Sequence, residues 1–127
     1  MKFEKRINKI KISKNFYLCE FESPDTHEVK IDPELLEKLQ KLRDMLRKPI
    51  IITSGYRTKK HNRKIGGAPR SYHLQGKAAD IIVKGIPKQT VVLYAHLCNF
   101  QGIITYKNKP HIHLDTRQEP YHRIVPL

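Results

Sequence analysis

The sequence predicts an α+β fold, a small antiparallel sheet flanked by helices. Three observations carry that expectation. Two segments, 33–48 and 87–100, place apolar residues at helical spacing, while short runs at 50–53, 77–83, 102–106 and 111–116 read as strands. These elements mix without the regular β–α–β alternation of a parallel sheet. The last two strand segments are separated by "KNKP", the spacing of a hairpin, which pairs its strands antiparallel.

Each element has a local reason. "NFYLCEF", 15–21, reads as a short strand. In "IDPELLEKLQKLRDMLRKP", Asp32 suits an N-cap and Pro33 the first helical position. Leu35, Leu36, Leu39, Leu42 and Leu46 then fall on one helical face, and Lys41, Arg43, Arg47 and Lys48 favour its C-terminal half. Pro49 ends the helix. "IIIT", 50–53, is a continuous apolar run and reads as a buried strand. "KKHNRKI" suits a short helix stopped by Gly66 and Gly67, and "GGAPRSYHLQG" has the composition of a loop. "KAADIIV", 77–83, reads as a strand. The 87–100 helix puts Val91, Tyr94, Ala95 and Cys98 on one face.

The chain has 127 residues, which suits one domain with a self-sufficient core. Cys19 and Cys98 lack metal or redox spacing and read as isolated buried thiols. A formal net charge of +13 favours polyanionic partners, among them nucleic acid, cell wall and anionic membrane. No run approaches a membrane span, and Lys, Arg and Asn interrupt the N-terminal apolar residues before they form a secretory leader. The expectation is synthesis in the cytoplasm without a signal peptide.

The chemistry concentrates in two segments. In "HIHLDT" the period of two puts His111, His113 and Asp115 on one strand face and Ile112 and Leu114 on the other. An edge strand with one wet face shows the same alternation. In "SYHLQGKAAD" the carboxylate of Asp80 sits inside an apolar strand, where burial without a partner is costly. A metal ion answers that cost, and so does an arginine. His73, Asp80 and His113 would supply two nitrogens and one oxygen, a ligand set that leaves a zinc ion one open position. No H-E-x-x-H helix is present, so the common zinc-protease helix is excluded.

These motifs resemble the zinc D-Ala-D-Ala carboxypeptidase family of metallopeptidases, particularly its short phage-associated members. Ser71, His73, Gly76, Ala78 and Asp80 fill the family's S-x-H-x-x-G-x-A-x-D pattern, and "HIH" and "HLD" both fit its later H-x-H or H-x-D. "ITSGYRT", 52–58, and "HNRKIGGAPRSYHL", 61–74, also resemble family stretches. The likeness covers about residues 30–117 of a chain read as one zinc peptidase domain, 1–127. It implies a hedgehog/DD-peptidase-like fold and Zn2+ held by His73, Asp80 and His113. It implies that Arg57 steadies substrate or developing charge, and that Ser71 and Tyr72 shape the substrate pocket. The family's branches with a glutamate base three residues before the last ligand have Pro110 as their counterpart here. His111 is therefore the expected proton handler. Asp115 is expected either to orient a ligand or to pair with Arg117.

The resemblance implies hydrolysis of peptidoglycan stem-peptide bonds by zinc-activated water, as a carboxypeptidase or an endopeptidase. The implied setting is an anionic cell wall, reached by a monomeric phage or prophage product of endolysin type. A wall- or protein-binding domain with an intact zinc site and no hydrolysis is the alternative. Nucleic-acid binding has only the charge in its favour and leaves Asp80 unexplained. His27, His61, His96 and His122 are read as ordinary surface or satisfied histidines.

Overall fold

A computed structural model describes residues 8–125, so the first half of the basic stretch 1–14 lies outside the described residues. β1 (Lys11–Ser13) and β2 (Phe16–Tyr17) pair antiparallel and lead into a 3-10 turn, Leu18–Phe21. Then come α1 (Pro33–Leu46), β3 (Ile51–Ser54), α2 (Lys59–Lys64) and a second 3-10 turn, Tyr72–Gln75. β4 (Ala78–Ile82), α3 (Lys88–Leu97), β5 (Gly102–Thr105), β6 (Ile112–Asp115) and β7 (Tyr121–Arg123) complete the order. The main sheet runs β3-β4-β6-β5-β7, and only the β5–β7 pair is parallel. The α+β architecture is as the sequence predicts.

α1 follows its leucine spacing. Leu35, Leu39, Leu42 and Leu46 are buried and Leu36 partly so. Burying each leucine contributes about 1.5–3 kcal/mol. Asp32 stands at the N-cap, but its carboxylate makes no cap bond and accepts from the Thr116 hydroxyl at 3.2 Å. The helix ends before Pro49, because Arg47 turns left-handed (φ 56°) and returns its N–H to the Arg43 carbonyl. Val91 and Ala95 of α3 and Cys98 at its C-cap are buried as their spacing requires, with Tyr94 partly so. Both cysteines are free, but Cys19 is only partly buried because the chain coils there instead of running as a strand.

Two strand expectations change. Only Phe16 and Tyr17 of segment 15–21 are extended; the chain then coils through Leu18–Phe21. Phe16 and Phe21 lie five apart and would face opposite sides of a strand, whereas the turn buries both, with ring centroids 5.9 Å apart. The Glu20 carboxylate fastens this turn by accepting from the Tyr17 N–H at 2.7 Å. The 50–53 run is not a buried strand. β3 is a sheet edge with Ile51 exposed, and Ile50, just before it, enters the core. A continuous apolar run does not report which neighbours a strand will find.

The sheet sorts its side chains by face. Ala79, Ile81, Ile103, Ile112 and Leu114 join the core with α1 and α3. The opposite face of β4 and β6 carries Ala78, Asp80, His113 and Asp115. It is no wet face: Asp80, His113 and Asp115 are all buried, in central strands. Among the described residues no helix is long and apolar enough to cross a membrane.

Candidate active site

Strand register assembles half of the site. Asp80 in β4 stands directly opposite His113 in β6, and Ala78 opposite Asp115. Directly opposed residues share a sheet face with Cβ atoms about 5 Å apart. On the other flank Gly102 of β5 faces Asp115. A Cβ on Gly102 would lie 2.1 Å from Asp115 Oδ1, so the buried carboxylate occupies the space a side chain would take. A bulge between Ile52 and Ser54 brings Ser54 into register with Asp80 from the edge strand.

His73 arrives from the 3-10 turn Tyr72–Gln75. Ser71 caps that turn, its Oγ accepting from the His73 N–H at 3.2 Å. Gly76 closes it at φ +70°, where an added Cβ would strike the Lys30 carbonyl at 2.6 Å. His73 Nδ1 then bonds the Gly55 carbonyl at 2.7 Å, and a carbonyl can only accept, so Nδ1 carries the proton. His73 Nε2 is left pointing at Asp80 Oδ1, 3.2 Å away.

His113 is fixed in the same manner with its nitrogens exchanged. Nε2 lies 2.7 Å from Asp115 Oδ2, and Nδ1 lies 3.1 Å from Asp80 Oδ1. Asp115 is fully buried and also accepts from Arg117: its N–H at 3.1 Å, Nε at 2.9 Å and Nη2 at 2.6 Å. It therefore both orients a histidine and pairs with Arg117, the two roles the sequence left as alternatives. Burial pushes the Asp115 carboxyl up, but these bonds outweigh it and hold the group well below its ordinary range.

One donor atom from each of His73, Asp80 and His113 lies within 4.8 Å of the others, and all three side chains are buried. With the outer nitrogens protonated, two imidazole lone pairs and an anionic oxygen converge on one point. Such a donor set fits a cation, and the fixed outer bonds are those that metal-ligating histidines make. Without a cation a proton serves: burial lowers His113, but bonds to Asp115 and Asp80 raise it above its ordinary value. Burial likewise raises Asp80, while hydrogen bonds and charge from His113 and His73 prevail and hold it far below the carboxylate norm.

Asp80 also finds its arginine. Arg57 Nη2 reaches Asp80 Oδ2 at 3.2 Å, Nε reaches Ser54 Oγ at 3.0 Å, and Nη1 reaches Asn62 Oδ1 at 3.1 Å. The two oxygens of Asp80 are thus divided between the histidine pair and the guanidinium. Arg57 is largely buried rather than a surface arginine, and desolvation lowers its pKa against the pull of Asp80.

A cleft of about 490 Å³ opens over these groups, lined by Arg57, Ser71, Tyr72, His73, Asp80, His111 and His113. The expected metal, proton-handling and substrate residues therefore border one space, while Asp115 is buried behind His113. His111 stands just before β6, with Nε2 3.9 Å from Asp80 Oδ2 and its ring 5.1 Å from that of Tyr106. Burial lowers its pKa, and Lys109 and Lys88 add to that against Asp80. His27, His61, His96, His122 and Glu119 do not line the cleft.

Sequence reasoning missed two contributors, Asn62 and Tyr106, and the aromatic setting of Arg117. Asn62 is buried and bridges Arg57 to the Ala68 carbonyl; its signal was its place in the family-like stretch 61–74, which assigned it no role. Tyr106, at the end of an apolar run, lines the cleft beside His111. The Arg117 guanidinium lies between the Tyr72 and Tyr121 rings, 4.6 and 4.8 Å from their centroids, which no local pattern signals.

The sequence pattern described as Peptidase M15 matches residues 13–115, which include His73, Asp80 and His113. The chain belongs to the peptidase M15 family. This is a family of metallopeptidases, in keeping with the His73–Asp80–His113 group. Two relatives are the peptidoglycan L,D-endopeptidases MepK of Escherichia coli (strain K12) and of Shigella flexneri, each 33% identical over 93 residues. A third, named probable peptidoglycan L,D-endopeptidase MepK, from Haemophilus influenzae, is 32% identical over 95 residues. Each alignment covers 68% of this chain and 51% of the relative, so the chain spans about half the length of the curated relatives it matches.

Proposed function

We propose that this member of the M15 family is a zinc-dependent endopeptidase that hydrolyses an amide bond in peptidoglycan peptides. The observation that carries the metal is the convergence of His73 Nε2, Asp80 Oδ1 and His113 Nδ1, each imidazole proton being held on the far side by Gly55 or Asp115. Two nitrogens and one carboxylate oxygen suit zinc and leave a position open. A bound zinc ion would acidify a water and polarise the scissile carbonyl. The names of the relatives support peptidoglycan as substrate and an internal, L,D-type bond as the target. The site of action is then the cell wall. The sequence expectation of a phage or prophage product gains no support from the named relatives, which are bacterial.

The remaining roles belong to the chain's own groups. His111 exchanges a proton through its imidazole; burial lowers its pKa, which keeps the ring a proton acceptor near neutral pH. Arg57 holds Asp80 Oδ2 and lends its charge to the cleft floor, where negative charge on the substrate develops. Ser71 and Tyr72 line the cleft beside His73, where a bound peptide would meet them.

The test has two parts. Zinc per chain is measured on purified protein. The protein is then incubated with isolated peptidoglycan, and new peptide ends are identified by mass spectrometry. One zinc per chain with new ends at a single internal bond type is expected. Bound zinc without new ends leaves a binding domain, and absence of zinc refutes the metal assignment. New ends only from release of a terminal D-residue make the protein a carboxypeptidase.

A further inference from the structure

Between Asp44 and Asp115 the chain holds one carboxylate side chain, Asp80, against thirteen Lys and Arg. Nearly the whole charge excess therefore lies in the segment that builds the cleft. Among the described residues four cations line that cleft, Arg57, Arg70, Lys109 and Arg117, with Asp80 as the sole lining acid. Two of the four are committed, Arg57 to Asp80 and Arg117 to Asp115. Arg70 and Lys109 are exposed and pair with no carboxylate among the described residues.

These two are mounted differently and neither swings from a loose end. Arg70 directly precedes Ser71, whose N–H donates to the Ala68 carbonyl at 3.0 Å and whose Oγ caps the His73 turn. Lys109 sits in the β5–β6 turn. The Lys88 ammonium fastens that turn by donating to the Lys109 carbonyl and, at 3.4 Å, to the Tyr106 carbonyl. The Lys109 ammonium rests 5.4 Å from the Tyr106 ring centroid, at the cleft's edge. Two uncompensated cations on separate segments thus border the space where a peptide would lie.

We propose that Arg70 and Lys109 select substrates by their free carboxylates. The cleft then prefers peptides whose flanking residues are ionised acids over the same peptides with those acids amidated. This rests on the peptidase reading above and adds a rule of specificity to it. An exposed cation gains little from an anion in water, so each residue contributes a few-fold rather than orders of magnitude. A guanidinium can hold a carboxylate by two hydrogen bonds, whereas Lys109 acts as a point charge.

The test compares kcat/KM for matched peptides: free acid, amidated at the C-terminus only, amidated at the side-chain carboxyl only, and amidated at both. Wild type should favour the free acid over the fully amidated form about tenfold. Arg70→Gln and Lys109→Gln should each cut that ratio about two- to fivefold, conversions of the exposed-pair energy. The singly amidated peptides identify which carboxylate each residue reads. Rising salt should slow the free-acid reaction more than the amidated one. Calorimetric binding of the product peptides, free and amidated, reads the same preference without turnover. A wild-type ratio near one, or a ratio unchanged in both variants, overturns the proposal. Cleavage of neither form by zinc-loaded wild type overturns the peptidase reading itself, and this proposal with it.

Discussion

Replacing Asp115 by Asn tests the outer layer of the site without changing its shape. The carboxylate is fully buried and accepts from His113 Nε2 at 2.7 Å and from Arg117 through three N–H groups. An asparagine offers one acceptor oxygen and one donor nitrogen. Whichever way the amide turns, its NH2 must face either the His113 N–H or the Arg117 guanidinium, donor against donor. Losing one charge-assisted hydrogen bond costs about 1.5–3 kcal/mol. The larger cost of breaking a buried pair is not reached, because Arg117 is 18% exposed and can turn to solvent. A destabilisation of about 2–3 kcal/mol lowers Tm by about 10 °C for a chain of this size. His113 also loses the partner that fixes its proton on Nε2, and such a change typically weakens metal binding about 10–100-fold. Thermal unfolding with and without zinc, and zinc titration against a competing chelator, measure both effects. A variant with unchanged Tm and unchanged zinc affinity would refute the reasoning that Asp115 holds the His113 tautomer.

Four further outcomes are expected. His111→Ala should retain one zinc per chain and lose about 10²–10⁴-fold in kcat; loss of the metal instead would make His111 a ligand. Gly102→Ala should destabilise by about 1–3 kcal/mol through overpacking, since its methyl would lie 2.1 Å from Asp115 Oδ1; a wild-type unfolding curve would show that the strand yields. Removing zinc with a chelator should lower Tm in the wild type and not in His73→Ala, because a ligand that binds only the native state stabilises it; an equal shift in both would deny His73 as a donor. The Asp25 carboxyl is held down at about 2, from an ordinary 3.8, by hydrogen bonds from the Ser23 and Thr58 hydroxyls. Its pKa is depressed on folding, so its contribution is present above about pH 4 and fades as pH falls toward 2. Asp25→Asn should flatten urea-unfolding stability across that window alone, and an unchanged slope there would show that these hydrogen bonds to the exposed Asp25 form without energetic effect.

The sequence by itself determined which polar residues of the strands share a face. The period of two in "HIHLD" separated His113 and Asp115 from Ile112 and Leu114, and the leucine spacing of α1 fixed the helix that covers the apolar side. Those are local consequences of backbone geometry, legible wherever one face must avoid water. Asp80 in an apolar strand was equally legible as a charge in need of a partner, yet the choice between arginine and metal was not. Tertiary structure gives Asp80 its arginine at one oxygen and turns the other oxygen toward the two histidines, a donor set that fits a cation.

Long-range packing decided the rest. β3 became an edge although its sequence reads as buried, because a strand's position depends on which neighbours hydrogen-bond to it. The tautomers of His73 and His113 depend on the Gly55 carbonyl, 18 residues away from His73, and on how the buried Asp115 is shared with Arg117. Side-chain hydrogen bonds are chosen by distance in space, and no spacing along a chain encodes that choice until the strands are in register.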